Sequence, residues 1–190
     1  MKKRILVIDA NPKQASFCDA LAKSYSQSCN SECEVHTLSL SAMTFDPNLT
    51  NGYENEQRLE ADLVDFQTQL QRAEHIVLFI PVWWGGLPAK FKGLIDRTFL
   101  PGFAFQYQPN KTIPDKLLKG RTAEIILTLD TPAWYYRFIQ GSPVKKQLKH
   151  TILGFCGINV RSTDYIGPIV TSSPEQRKKW LKQIAKKAMK

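Results

Sequence analysis

IVLFIPVWWGGLPAKFKGLIDRTFLPG, residues 76–102, is the stretch whose reading decides the fold. Its first five residues are an unbroken apolar run with β-branched members, the pattern of a strand covered on both faces in a parallel sheet. Pro81 cannot donate to a sheet ladder, so the strand is expected to stop there. Trp83, Trp84, Gly85 and Gly86 then make an aromatic, glycine-rich loop, after which Phe91, Leu94, Ile95 and Phe99 recur at a helical period. A loop at the carboxyl end of a central strand is where open α/β sheets bind ligands.

Outward from this stretch the same alternation repeats. Residues 4–9 (RILVID) are a second continuous apolar run, followed by a loop over 10–17 and a helical recurrence of Phe17, Ala20, Leu21, Ser24 and Tyr25. Residues 34–40 (EVHTLSL) alternate as a strand near a sheet edge does. Asp46-Pro47-Asn48 and Asn51-Gly52 signal turns, so 44–52 is expected as a surface loop before an amphipathic helix carrying Leu59, Leu63, Phe66 and Leu70. Residues 103–107 read as a short aromatic extension closed by Pro109-Asn110 and Pro114, and a connection of this length is often functional. Residues 123–129 (AEIILTL) give a fourth strand, and 130–138 (DTPAWYYRF) a second aromatic loop. A helix with Val144, Leu148, Ile152 and Phe155 on one face follows, then a fifth strand over 157–165 and a terminal helix opened by Pro174.

Five strands separated by helices imply an α/β fold, a three-layer α/β/α sandwich around a five-stranded parallel sheet, most economically in the order 2-1-3-4-5. Residues 1–190 show no repeat or linker and read as a single domain. In that order the loops 10–17, 81–86 and 128–136 converge on the topological switch point.

Composition narrows the partners. The four cysteines follow no disulfide framework, no signal-peptide pattern is visible, and no apolar run approaches the roughly 18 residues of a membrane span. A cytoplasmic location without an integral membrane segment is expected. Much of the net charge of +9 sits on Arg177, Lys178, Lys179, Lys182, Lys186, Lys187 and Lys190, around Trp180, Leu181, Ile184 and Ala188 at helical spacing. That pattern reads as the solvated face of a terminal helix, with attraction of a phosphorylated substrate or an acidic partner as the alternative, and no nucleic-acid partner is expected. Cys29 and Cys33 have only His36 nearby, too few ligands for zinc, so no metal site is expected. The three histidines are scattered and build no Ser-His-Asp constellation. Asp96-Arg97 reads as a helix-surface or dimer-contact pair.

The three loops carry the chemistry. Ser16 stands at a helix start, where free N–H groups and the helix dipole favour an anion such as phosphate; an ordinary serine cap is the plainer alternative. The GxGxxG and Walker A patterns are absent. Trp83, Trp84, Trp134, Tyr135 and Tyr136 fall in adjacent loops and suit a platform for a flat ring, with core packing as the alternative. Gly85 allows the backbone to approach that ring. A phosphate pocket beside an aromatic platform at this switch point fits a mononucleotide flavin.

The run PVWWGGLPAKFKGLIDRTFLPGFAF closely resembles the DT-diaphorase-like NAD(P)H:quinone oxidoreductases, whose fold is flavodoxin-like. Residues 11–18 resemble their phosphate loop around Ser-Phe, and 152–160 (ILGFCGINV) their later Phe-Cys-Gly segment. The resemblance implies a homodimeric flavoenzyme with a ping-pong mechanism. Hydride passes from NAD(P)H to flavin N5, and two electrons go on to a quinone or nitroaromatic acceptor. By position it implies that Asn11, Ser16, Phe17 and Cys18 hold the flavin phosphate region. Pro81, Val82, Trp83, Trp84 and Gly85 would border the isoalloxazine, and Thr128, Leu129, Asp130 and Thr131 its other edge. Backbone N–H groups of the second loop would stabilise the anionic reduced ring. Tyr136 falls close to the family's relay tyrosine and is the candidate catalytic residue. No histidine lies between His75 and His150, so the family's tyrosine-histidine relay is not reproduced, and Pro132-Ala133 replaces its glycine pair. The absence of the long carboxyl-terminal extension of the animal enzymes favours FMN over FAD. The segment 90–105 is implied at or near the dimer interface. Two other readings compete: an accessory flavoprotein regulating a potassium-efflux system, and a one-electron flavodoxin-type carrier. The basic charge and the missing Thr-x-Thr-Gly-x-Thr loop stand against the second.

Overall fold

The computed structural model describes residues 2–109 and 111–189. Met1, Asn110 of the expected Pro109-Asn110 turn, and Lys190 of the basic terminal helix lie outside the described residues.

Parallel strands β1 (Lys3–Asp9), β2 (Cys33–Ser39), β3 (His75–Pro81), β6 (Thr122–Thr128) and β7 (Asn159–Ile166) form one sheet in the order β2-β1-β3-β6-β7. This is the expected 2-1-3-4-5 order, with a two-residue antiparallel ribbon, β4 (Phe105–Gln106) and β5 (Asp115–Lys116), inserted before β6. Helices α1 (Phe17–Ser28) and α6 (Pro174–Ala188) cover one face; α2 (Ala61–Arg72) and α3 (Ala89–Thr98) lie on the other.

Strand alternation builds both cores. Ile5, Val7, Val77, Phe79 and Ile126 point toward α1 and α6, whereas Leu6, Ile8, Ile76, Leu78, Ile80, Ile125 and Leu127 point toward α2, α3 and the helical run after β6. All seven residues of β3 are buried, which is why its sequence is continuously apolar from Ile76 onward, and each large apolar side chain contributes about 1.5–3 kcal/mol by leaving water. Pro81 is its last residue, as its missing N–H requires. β2, at the edge, is half exposed and alternates.

Two expectations need correction. Residues 130–138 are not loop throughout: Tyr135–Ile139 close a π-helical turn. The helix that follows is a continuous run of α4 (Pro143–Lys146), a π-helical stretch Gln147–Ile152, and α5 (Leu153–Cys156). Arg97, expected on a helix surface, is only 1 % exposed. Its guanidinium meets Glu60 at 2.8 Å and donates to the carbonyls of Arg58, at 2.9 Å, and Asp46. A buried guanidinium is tolerable because those acceptors face it. It clasps the 44–60 loop onto α3, where Pro47 packs so tightly on Gly93 that no side chain would fit there. Asp96 instead pairs with Lys92 at 2.6 Å.

Candidate active site

The parallel sheet brings the carboxyl ends of β1, β3 and β6 together, and a hollow of about 730 Å³ opens there. Val82, Trp83, Trp84 and Gly85 wall one side, and Leu129, Asp130, Thr131, Tyr136 and Gln140 the other. Among these only Gln140 escaped the sequence, because a lone polar residue after an aromatic turn carries no pattern. A larger hollow of about 1190 Å³ lies at the amino ends of the strands, beside Lys3, His75 and Arg161. Ligands of open α/β sheets sit outside the carboxyl ends of strands, so the smaller hollow is the site.

The 82–86 loop is a tight turn. Trp83 N–H donates to Gly86 O at 3.1 Å and Gly86 N–H to Trp83 O at 2.8 Å, with Trp84 (φ 51°) and Gly85 (φ 73°) both left-handed between them. Two consecutive positive φ values are the signature of a type I′ turn, which glycine accepts without strain. Val82 N–H is taken by Thr128 O at 2.9 Å. Of the loop's donors, therefore, Trp84 and Gly85 N–H are the two without a backbone partner among the described residues. Trp84 is fully exposed (106 %) and Trp83 half exposed, so neither is core. Nothing lies within 4 Å of where a Gly85 Cβ would be, leaving the face of this turn open.

The 10–16 loop is organised from beneath. Asp9, buried at the end of β1, accepts Asn11 N–H at 3.1 Å and the Ser39 hydroxyl at 3.3 Å. Asn11 Oδ1 accepts Lys13 N–H at 3.0 Å, and Ser16 Oγ accepts Asp19 N–H at 3.1 Å as the cap of α1. Ser16 is thus a cap, and the anion-favouring end it caps stands at the sheet's switch point. Burial holds the Asp9 carboxyl up, at about 6, against the opposing pull of the Asn11 N–H and Ser39. No pattern of residues announces this, since Asp9 closes an apolar run as any exposed acid would. Cys18 lies below the loop with Sγ 3.3 Å from Thr128 Oγ1; burial pushes its thiol up to about 12, so it stays neutral and ties α1 to β6. Phe17 turns toward α6, packing on Trp180 at 6.0 Å under the Arg177 guanidinium. Arg177, read from sequence as one of a solvated set, is held by Ser172 and Ile169 O and puts a cation beside the residue that follows the cap.

On the far side, Leu129 is core, and its N–H and C=O bond to Ile166 O and Ile169 N–H, both at 2.8 Å. Asp130 accepts Val170 N–H at 3.2 Å. The five-aromatic platform divides: Trp83 and Trp84 line the hollow, Trp134 and Tyr135 stack edge to face at 5.7 Å outside it, and Tyr136 is 1 % exposed. The Tyr136 hydroxyl accepts Val144 N–H at 3.2 Å, and its own proton has no acceptor among the described residues. Burial raises its pKa, so it is a donor and not a base. Among the described residues no group of three metal-ligating side chains occurs.

The donor set fits a flavin mononucleotide: an open left-handed turn with two free N–H groups for the ring edge, and a capped helix end with a neighbouring cation for the phosphate. The chain matches the family model described as the flavodoxin-like fold over residues 3–190. It is 26 % identical to the mouse ribosyldihydronicotinamide dehydrogenase [quinone], over 97 % of this chain and 90 % of that one. To a Haemophilus influenzae protein named as an uncharacterized NAD(P)H oxidoreductase it is 28 % identical, over 96 % and 92 %. The solved structure of Smu.1420 from Streptococcus mutans UA159 is similar at a TM-score of 0.83 and 32 % identity, covering 97 % of this chain and 98 % of that one.

Proposed function

This chain belongs to the flavodoxin-like fold family, and from that premise we propose that it is an FMN-dependent NAD(P)H:quinone oxidoreductase acting on quinones and related acceptors such as nitroaromatics. The observation that carries the reading is the hollow walled by the 82–85 turn and the 129–140 segment at the carboxyl ends of the strands. The names of the mouse and Haemophilus influenzae relatives support the electron donor and acceptor classes.

When bound, the flavin supplies the ring that receives hydride and gives two electrons on. The chain's own residues do the rest. Ser16 and Asn11 shape the loop that takes the phosphate, with the α1 amino terminus and Arg177 supplying positive potential. Trp84 and Gly85 N–H groups, already oriented by the turn, would be the donors available to a bound flavin and would stabilise negative charge on it. Trp83 and Trp84, which line the hollow, would cover a bound ring and exclude water from it. Tyr136, its hydroxyl oxygen engaged by Val144 N–H and its side chain among those lining the hollow, would be the chain's proton donor there, in place of the relay that a histidine would complete. One hollow serves nicotinamide and quinone in turn, which is a ping-pong order.

A homodimer and a cytoplasmic location belong to the same reading. The dimer is supported by an apolar hollow of about 390 Å³ on the α3 face, lined by Tyr53, Ile95, Phe99, Phe105, Tyr107 and Phe155 among others. The location is supported by four free cysteines, and no helix among the described residues is long and apolar enough to cross a membrane. The test is to purify the protein, release its cofactor by heat for chromatographic identification, and follow NADH and NADPH oxidation with menadione. A yellow protein releasing FMN and turning over is expected. A colourless protein that takes up no flavin and oxidises neither nucleotide overturns the proposal.

A further inference from the structure

We propose that a second hollow beside the flavin site, built on residues 137–150, binds the 2′-phosphate and adenine of NADPH and makes this chain NADPH-selective. This inference rests on the oxidoreductase reading above and adds which nucleotide that site takes.

The two hollows share one helical turn. Tyr136 and Gln140 line the flavin side, while Arg137, Phe138, Gly141 and Ser142 line a cavity of about 520 Å³ on the other. Lys145, Lys146, Lys149 and His150 complete its wall, and no acidic side chain lines it. A dinucleotide with its nicotinamide in the first hollow has its adenosine half to place nearby, and this is the adjoining cavity.

Its cations are unpaired and its arginine is held in place. Among the described residues, Arg137, Lys145, Lys146 and Lys149 make no salt bridge with any carboxylate. The Arg137 guanidinium lies 5.4 Å from the ring centres of both Phe138 and Tyr165. Two aromatic faces orient the planar fork while leaving its N–H donors free, the arrangement that suits bidentate capture of a phosphate. Arginine near the adenosine ribose is the general means by which α/β dinucleotide sites accept a 2′-phosphate. Phe138 is 73 % exposed, an apolar ring in an otherwise cationic wall, and offers the adenine a surface to stack on.

The backbone is strained to make this cavity. Gly141 (φ 71°) and Ser142 (φ 52°) are consecutive left-handed residues, and the second is not glycine. Ser142 is buried and locked by its Oγ, 3.0 Å from the Tyr165 hydroxyl. The resulting turn folds the chain so that Lys146 Nζ lies over Gly141, 3.3 Å from where a Cβ would be. Strain of this kind persists where surrounding contacts enforce it, commonly at ligand sites.

The experiment has two arms. Calorimetry with adenosine 2′,5′-bisphosphate and with adenosine 5′-monophosphate reads the hollow without turnover. The bisphosphate is expected to bind at least 10-fold more tightly, with Arg137→Gln and the Lys145→Gln/Lys149→Gln pair each removing most of that difference. Steady-state oxidation of NADPH and NADH on the flavin-loaded enzyme should show a preference for NADPH in kcat/KM of at least 10-fold, shrinking toward one in the same variants. Equal affinity for the two adenosine phosphates, or a preference the variants leave intact, overturns the proposal. Tight binding of an acidic protein or nucleic acid that the bisphosphate does not displace would also overturn it. A protein that binds the bisphosphate but takes up no flavin separates the two claims: the hollow stands as a 2′-phosphate site and the oxidoreductase reading falls.

Discussion

At the scale of single residues, Gly85 and Tyr136 do different work from what their types suggest. Gly85 is demanded by backbone angle rather than by crowding, since its Cβ position is empty and its φ is 73°. Gly85→Val puts a β-branched residue in the left-handed region and should cost roughly 1–2 kcal/mol of stability, whereas Gly85→Asn should cost little of it. Both should raise the FMN dissociation constant about 10-fold if a ring lies against this backbone. Thermal unfolding and flavin fluorescence titration separate the two effects, and wild-type FMN affinity in the asparagine variant would show that the turn does not touch the ring. Tyr136 combines a buried ring, a hydroxyl fixed by Val144 N–H and an unplaced proton. Tyr136→Phe leaves Val144 N–H without its acceptor, for about 1–3 kcal/mol of stability, and should lower kcat with menadione about 10²-fold. Lost stability with kcat intact would reduce the residue to architecture. The aromatic residues were visible in the sequence, but their division was not: burial of Tyr136 and exposure of Trp134 follow from a π-helical turn that no spacing rule announces.

Elements were legible where a period ran long enough to be read. β3 and β1 announced themselves because both faces are covered, and α6 because Pro174 marks its start; the Ser173 cap came only with the structure. The ribbon of β4 and β5 could not be read, because two residues on each strand give no periodicity. Nor could the role of Asp9, which depends on what β1 delivers it into. Its carboxyl moves from 3.8 to about 6 on folding, so the folded state binds the proton more tightly than the unfolded chain does. Stability therefore falls as pH rises from about 4 to about 6, and above that window the full cost of a buried carboxylate, at most roughly 3 kcal/mol, persists. Asp9→Asn keeps an acceptor for Asn11 N–H and removes the charge below the phosphate loop. The variant should lose that pH-dependent decline, melt higher at pH 7.5, and bind FMN more tightly there. Thermal melts of both proteins across pH 4–8 check the first claim and FMN titration the last; parallel pH profiles would mean that Asp9 is ionised in the fold throughout.

Across the whole molecule, the charge of +9 divides into parts with different functions. Lys187 is bound into the structure by Asp164 at 2.8 Å and Glu124 at 3.3 Å, and Arg177 leans on Phe17, so the terminal helix is less uniformly solvated than its sequence pattern implies. The cations left unpaired around 137–150 stand beside the flavin hollow, where they raise the local concentration of an anionic nucleotide. Opposite in character is the α3 face, where Tyr53 and Tyr107 expose most of their rings beside Phe99, Phe105 and Phe155. An apolar patch of this kind marks an interaction surface, and the continuity of 90–105 with the 81–86 loop means that a second copy docked there would brace the ring-binding turn. The protein should therefore run in light scattering at about twice the 21.7 kDa of one chain. Tyr107→Arg places a charge in the patch without touching the flavin hollow, and should shift the mass toward one chain while loosening FMN by a few-fold. A wild-type protein that is monomeric at tens of micromolar would remove the dimer from the reading, and a monomeric variant with undiminished FMN affinity would show that the interface and the active site are independent.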